Sequence, residues 1–140
     1  MVIHIDFYGF ADGACRHTLN LASAAWVLYF PTEYLVSLGA VYIGPATNNI
    51  TEYEAVIGVL TEANSQDVRD LVVLMDSQLM FFHLNHVYTI RNMVLLHLFQ
   101  RVHLLERSFE TITYRHIPRE HNIVAETLAN YILDWHIAHT

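Results

Sequence analysis

A chain of 140 residues, 54% of them hydrophobic, can bury one core and is too short for several, so residues 1–140 are expected to form a single domain. No apolar run approaches the ~20 residues that cross a bilayer, which excludes a helical membrane span. With 7 Lys and Arg against 14 Asp and Glu, the formal charge of −7 argues against tight nonspecific nucleic-acid binding, although a local site in which acids gather around a cation stays open.

Residues 2–10 are apolar and β-rich, interrupted by His4 and Asp6, and lack a basic leader; they read as a strand, not a secretion signal. The single cysteine, Cys15, rules out an internal disulfide and suits a reducing, intracellular compartment such as cytoplasm or nucleus. Two further strands are predicted over 24–30 and 34–44, and the short link at 31–33 predicts an antiparallel hairpin between them. Asp12 is expected to close the first strand. After Asn49 the period becomes helical to about Ala63, and 70–76 is a short apolar run of the buried-strand type, closed by Asp76. Helical spacing returns over 77–86 and 94–109, residues 111–117 alternate as a strand that Pro118 stops, and a last helix over 122–137 is expected to bury Ala125, Leu128, Ala129, Ile132 and Trp135. The order β-β-β-α-β-α-α-β-α implies an α/β fold with a mixed five-stranded sheet, an antiparallel hairpin plus parallel strands, and helices on its faces.

Glu52 poses a question within this scheme. It shares a helical side with the apolar residues Val56, Val59, Leu60 and Ala63, where an ionised carboxylate is costly unless something positive meets it. Asp12 and Asp76 at strand ends and Glu126 early in the last helix are candidates for the same location, since ligands gather at the carboxyl ends of adjacent parallel strands. Four carboxylates in one place repel and call for hard cations, Mg²⁺ or Mn²⁺. Two ions about 4 Å apart would suit such a cluster, one to activate water and one to stabilise a leaving oxygen. Taken singly, each acid has an ordinary explanation: Asp12-Gly13 as a turn, Glu52 as a first-turn acid, Asp76 as a helix cap.

The segments DGAC at 12–15, ATNNITEYEAVIGVL at 46–60, MDSQL at 75–79, LNHVYTIRN at 84–92 and ITYRHIPREHNIVAETLAN at 112–130 together resemble ribonuclease H of type 1, in its plant, bacterial and retroelement form. The resemblance spans nearly the whole chain. It implies the ribonuclease H-like fold, a two-metal site using Mg²⁺ with Mn²⁺ as a substitute, and endonucleolytic hydrolysis of the RNA strand of an RNA/DNA hybrid. By position it makes Asp12, Glu52, Asp76 and Glu126 the metal ligands and gives His116, in a flexible loop, a secondary role in proton movement or product release. It places Gly13, Ala14, Cys15, Thr47, Asn48, Asn49, Ser77, Gln78 and Asn122 along the substrate, where contacts to 2′-hydroxyls distinguish RNA from DNA.

The chain departs from that family in three respects. Glu126 stands where the family usually has Asp, RHTLNLAS replaces a glycine-rich loop, and region 77–109 lacks a Lys and Arg cluster; weak substrate binding is the expectation. The alternative function is a catalytically weakened or inactive module of the same fold that binds nucleic acid or protein. Among the 10 histidines, His83 with His86 and His136 with His139 have one-turn spacing, yet no acid or thiol completes a zinc site, and no zinc is expected. Asp134, two turns beyond Glu126, is too distant to replace it.

Overall fold

The computed structural model describes residues 5–31 and 34–139; residues 2–4 of the expected first strand, and residues 32 and 33 of the expected hairpin link, lie outside them. Three strands, β1 (Phe7–Arg16), β2 (Leu21–Phe30) and β3 (Tyr34–Gly44), pair antiparallel in succession. Two more, β4 (Asp70–Met75) and β5 (Thr111–His116), join in parallel on the other side of β1, giving the order β3-β2-β1-β4-β5. The helices are α1 (Asn48–Ser65), α2 (Gln78–Leu84), α3 (Met93–Glu106) and α4 (Ile123–Ala138). The mixed sheet flanked by helices is as the sequence predicts, with shifts of one to a few residues at helix ends.

The first strand differs from expectation. It does not end at Asp12 but continues to Arg16, pairing Asp12 with Ala25 and Arg16 with Leu21, and turns back over residues 17–20. The Asp-Gly pair carries turn chemistry, but pairing with a long and largely apolar partner strand outweighs that local preference. Both links of the meander are therefore antiparallel, and Asp12 sits in mid-strand.

Alternation along the strands separates two layers. Ala11 and Ala24 join the larger core under α1, whereas Ala14 and Ala25 meet Ala129 and Leu133 of α4 on the opposite face. Small residues on β1 and β2 let α4 lie close, and the Ser23 hydroxyl donates to the Ala129 carbonyl. The buried stripe of α4 is Ala125, Ala129 and Leu133, with Leu128 and Ile132 half-buried. Trp135, expected inside, is 48% exposed and stacks on His139 at 4.2 Å, one helical step away from the stripe.

On the other face, Tyr53, Val56, Val59, Leu60 and Ala63 bury the inner side of α1 against the sheet. Trp26 wedges between that helix and β3, and a Cβ at Gly58 or Gly39 would overlap its ring. Among the described residues, no helix is long and apolar enough to cross a membrane.

Candidate active site

Three separate elements deliver the acids. Asp12 comes from the middle of β1, Glu52 from the start of α1 and Asp76 from the residue after β4, and one carboxylate oxygen of each lies within 4.8 Å of the others. Their approach has a steric cause at Gly13. A Cβ there would overlap the Thr51 side chain, so the missing side chain lets the first turn of α1 settle directly on β1 and carries Glu52 to Asp12. The Gly13 N–H also donates to Asp12 Oδ1 at 2.9 Å.

Local capping frees the third acid. Ser77, and not Asp76, caps α2, accepting from the Met80 N–H at 3.3 Å. Asp76 is left to line an open cleft of about 350 Å³, whose walls also include Gly13, Cys15, Arg119 and Glu126.

The charges oppose one another. Burial, then repulsion from Asp76 and Glu126, pushes the Asp12 carboxyl up to about 7, against the pull of the Gly13 N–H. Burial foremost, then Asp12 and Asp76, holds Glu52 well above the usual carboxylate range, and Asp12 and Glu52 share a hydrogen bond. Asp76 is raised by burial and by Glu126, with Arg119 and Asn122 working the other way. A hard divalent cation reverses this balance by replacing protons as the counter-charge, and an all-carboxylate set is the donor chemistry it prefers. The three acids can hold a divalent metal, which answers the question Glu52 posed.

Glu126 lines the same cleft but does not join the three-acid group. Its Oε1 instead accepts from Arg119 Nη2 at 2.6 Å and Arg119 Nε at 3.2 Å. Sequence reasoning gave Arg119 no role; the available signal was a cation one turn-and-helix start ahead of Glu126, in a segment otherwise read for its acids. Asp134 points elsewhere, bonded to Arg16 at 2.8 Å.

Other residues fall in two groups. Thr47 caps α1, accepting from the Ile50 N–H at 3.2 Å; Asn48 and Asn49 open that helix and Gln78 opens α2, with Asn48 and Gln78 exposed. Cys15 rests its Sγ 3.5 Å from Thr51 Oγ1. Ala14 packs beneath α4 and also lines the cleft, and Asn122, 1% exposed, donates its amide to the Ala11 carbonyl at 2.9 Å and hydrogen-bonds to Asp76. Asn122 thus ties the start of α4 to β1 and steadies Asp76. His116 is the last residue of β5, not part of a loop, because its segment pairs with β4 as far as Met75; its Nε2 lies 3.3 Å from the Asp76 carbonyl oxygen.

Comparison with known proteins agrees with this geometry. The profile of the family described as reverse transcriptase-like matches residues 10–132. The bifunctional protein Rv2228c of Mycobacterium tuberculosis is 35% identical over 127 residues, covering 89% of this chain and 34% of that protein, so the chain spans about a third of that relative's length. The crystal structure of RNase H1 from the halophilic archaeon Halobacterium salinarum superposes with a TM-score of 0.88 at 32% identity, covering 92% of this chain and 98% of the other. LC11-RNase H1, solved in complex with an RNA/DNA hybrid, superposes with a TM-score of 0.88 at 26% identity, covering 94% and 99%. By fold, acid placement and profile alike, the chain belongs to the reverse transcriptase-like family of ribonuclease H domains.

Proposed function

We propose that the chain is a ribonuclease H that cleaves the RNA strand of RNA/DNA hybrids endonucleolytically with the help of divalent cations. The observation that carries this reading is the meeting of Asp12, Glu52 and Asp76 from three elements, one oxygen of each within 4.8 Å of the others, in a fold shared with a hybrid-bound RNase H1. Asp12, Glu52 and Asp76 would hold the metal, two Mg²⁺ ions with Mn²⁺ able to substitute, and Glu126 stands at the cleft wall as the fourth carboxylate. When bound, the metal supplies Lewis-acid charge that makes water a better nucleophile and the phosphodiester a better electrophile.

The chain's own residues set the stage for that step. Gly13 and Asn122 hold Asp12 and Asp76 in place, and the mutual repulsion of the acids calls for a neutralising charge, which a divalent cation supplies by displacing their protons. The exposed polar side chains of Asn48 and Gln78, with Asn49, Thr47 and Ser77 in the same first turns, offer hydrogen bonds to phosphates and ribose 2′-hydroxyls. His116, beside the Asp76 carbonyl, can take or give a proton as product departs. We read residues 1–140 as one such domain, and a substrate of this kind implies an intracellular setting.

A labelled RNA annealed to DNA, incubated with the full chain and Mg²⁺ or Mn²⁺, tests the proposal. Cleavage confined to the hybrid, with single- and double-stranded RNA intact, supports it. Folded protein that binds the hybrid but leaves it uncut with either ion would favour the non-catalytic module.

A further inference from the structure

The cleft of acids contains one arrangement that the triad does not explain. Arg119 stands on a short turn, Arg119–His121, between β5 and α4, and its side chain is 77% exposed. Both of its bonds go to a single oxygen of Glu126, whose side chain is 25% exposed. The other arginine lining the cleft, Arg16, is committed to Asp134 at 2.8 Å. Arg119 also exerts its charge on Asp76 and Asp12.

The two partners differ in freedom. Glu126 belongs to a helix pinned at both ends of its first turns, by Asn122 to Ala11 and by Ala129 to Ser23. Arg119 is a long side chain on a solvent-facing turn, able to turn away without disturbing the core. A guanidinium is the side chain best suited to exchange a carboxylate for a phosphate, because its planar fork fits either anion. Glu126 in turn raises the carboxyls of Asp12 and Asp76, so it lies close enough to add its charge to their site once released.

We propose that Arg119 is a positioning residue that latches Glu126 outside the three-acid group until a backbone phosphate of the substrate displaces it. Substrate docking then supplies the cation site with its fourth carboxylate, and metal loading is coupled to the presence of a phosphodiester. The inference rests on the metal-centre reading above and deepens it.

The test is a double-mutant cycle read by calorimetric titration with Mn²⁺ alone, on the full chain and without nucleic acid. It uses the wild type, Arg119→Ala, Glu126→Gln and the double variant, each checked for folding by circular dichroism, with Arg119→Gln replacing Arg119→Ala if the latter fails that check. Removing Arg119 should tighten Mn²⁺ binding roughly fivefold when Glu126 is present, a magnitude set by what an exposed ion pair is worth. With Gln at that position the gain should largely vanish. A second arm adds a 2′-O-methyl RNA annealed to DNA, which should tighten Mn²⁺ binding in the wild type and have a smaller effect in Arg119→Ala. Equal tightening with Glu126 and with Gln would mean that Arg119 acts only as a nearby positive charge, and would overturn the latch; so would no change at all. Wild-type Mn²⁺ binding that is absent, or unaffected by Asp12→Asn, would instead refute the metal centre itself and the latch with it.

Discussion

Asp12→Asn should destroy the activity and yet make the metal-free protein more stable. Asp12 is 5% exposed, and burial with Asp76 and Glu126 moves its carboxyl from the usual 3.8 to about 7. Between those values the folded chain holds a proton that the unfolded chain has released, so this group's contribution to stability falls as pH rises from about 4 to about 7 and stays low above. At 1.36 kcal/mol for each pH unit, the ceiling on the loss is about 4 kcal/mol. Because the proton is shared with Glu52, about half of that, some 2 kcal/mol, is the expected gain on neutralising Asp12, or a rise of about 5 °C or more in Tm. Asparagine keeps an acceptor for the Gly13 N–H and offers an amide donor to Glu52, so the packing is preserved. Thermal unfolding by circular dichroism in EDTA should show the variant well above the wild type at pH 8 and close to it at pH 4. A variant no more stable than the wild type at pH 8, or one stabilised equally at both values, would refute the electrostatic account of the cleft.

Three further outcomes follow from the same geometry. Since Asp12, Glu52 and Asp76 are all raised, a cation must displace protons to enter, and Mg²⁺ affinity measured by calorimetry should strengthen from pH 6 to pH 8 with proton release detectable in buffers of different ionisation enthalpy. Gly13→Ala forces α1 away from β1 through Thr51; it should cost about 1–3 kcal/mol in urea unfolding and weaken Mg²⁺ binding beyond what the lost stability explains. Asn122→Ala removes the tie to the Ala11 carbonyl and leaves that buried acceptor unpaired, for a loss of about 1–3 kcal/mol accompanied by lower kcat on the hybrid.

Much of this architecture was legible because the sequence signals are periodic. The switch from strand to helix after Asn49, the apolar run 70–76 and the alternation at 111–117 each report which face is buried, and they place Glu52 and Asp76 without further information. Asp12 meets Glu52 and Asp76 although it does not end its strand, which runs on to Arg16; only the partner strand β2 reveals that the Asp-Gly pair does not turn. Trp135 illustrates the limit of face-reading near a helix end, where a large aromatic can leave the core and stack on His139 instead. The inward turn of Asn122 and the hold of Arg119 on Glu126 depend on side-chain directions across loops, and no spacing rule carries that information.

Cleavage of a labelled RNA/DNA hybrid in Mg²⁺ by the wild type and by Asp76→Asn, compared under single-turnover conditions with both proteins shown to be folded, tests the central claim most directly. Hybrid-specific cleavage by the wild type, with a loss of at least about a hundredfold in the variant, is the predicted result. Equal rates in the two proteins would contradict a metal centre built on Asp12, Glu52 and Asp76.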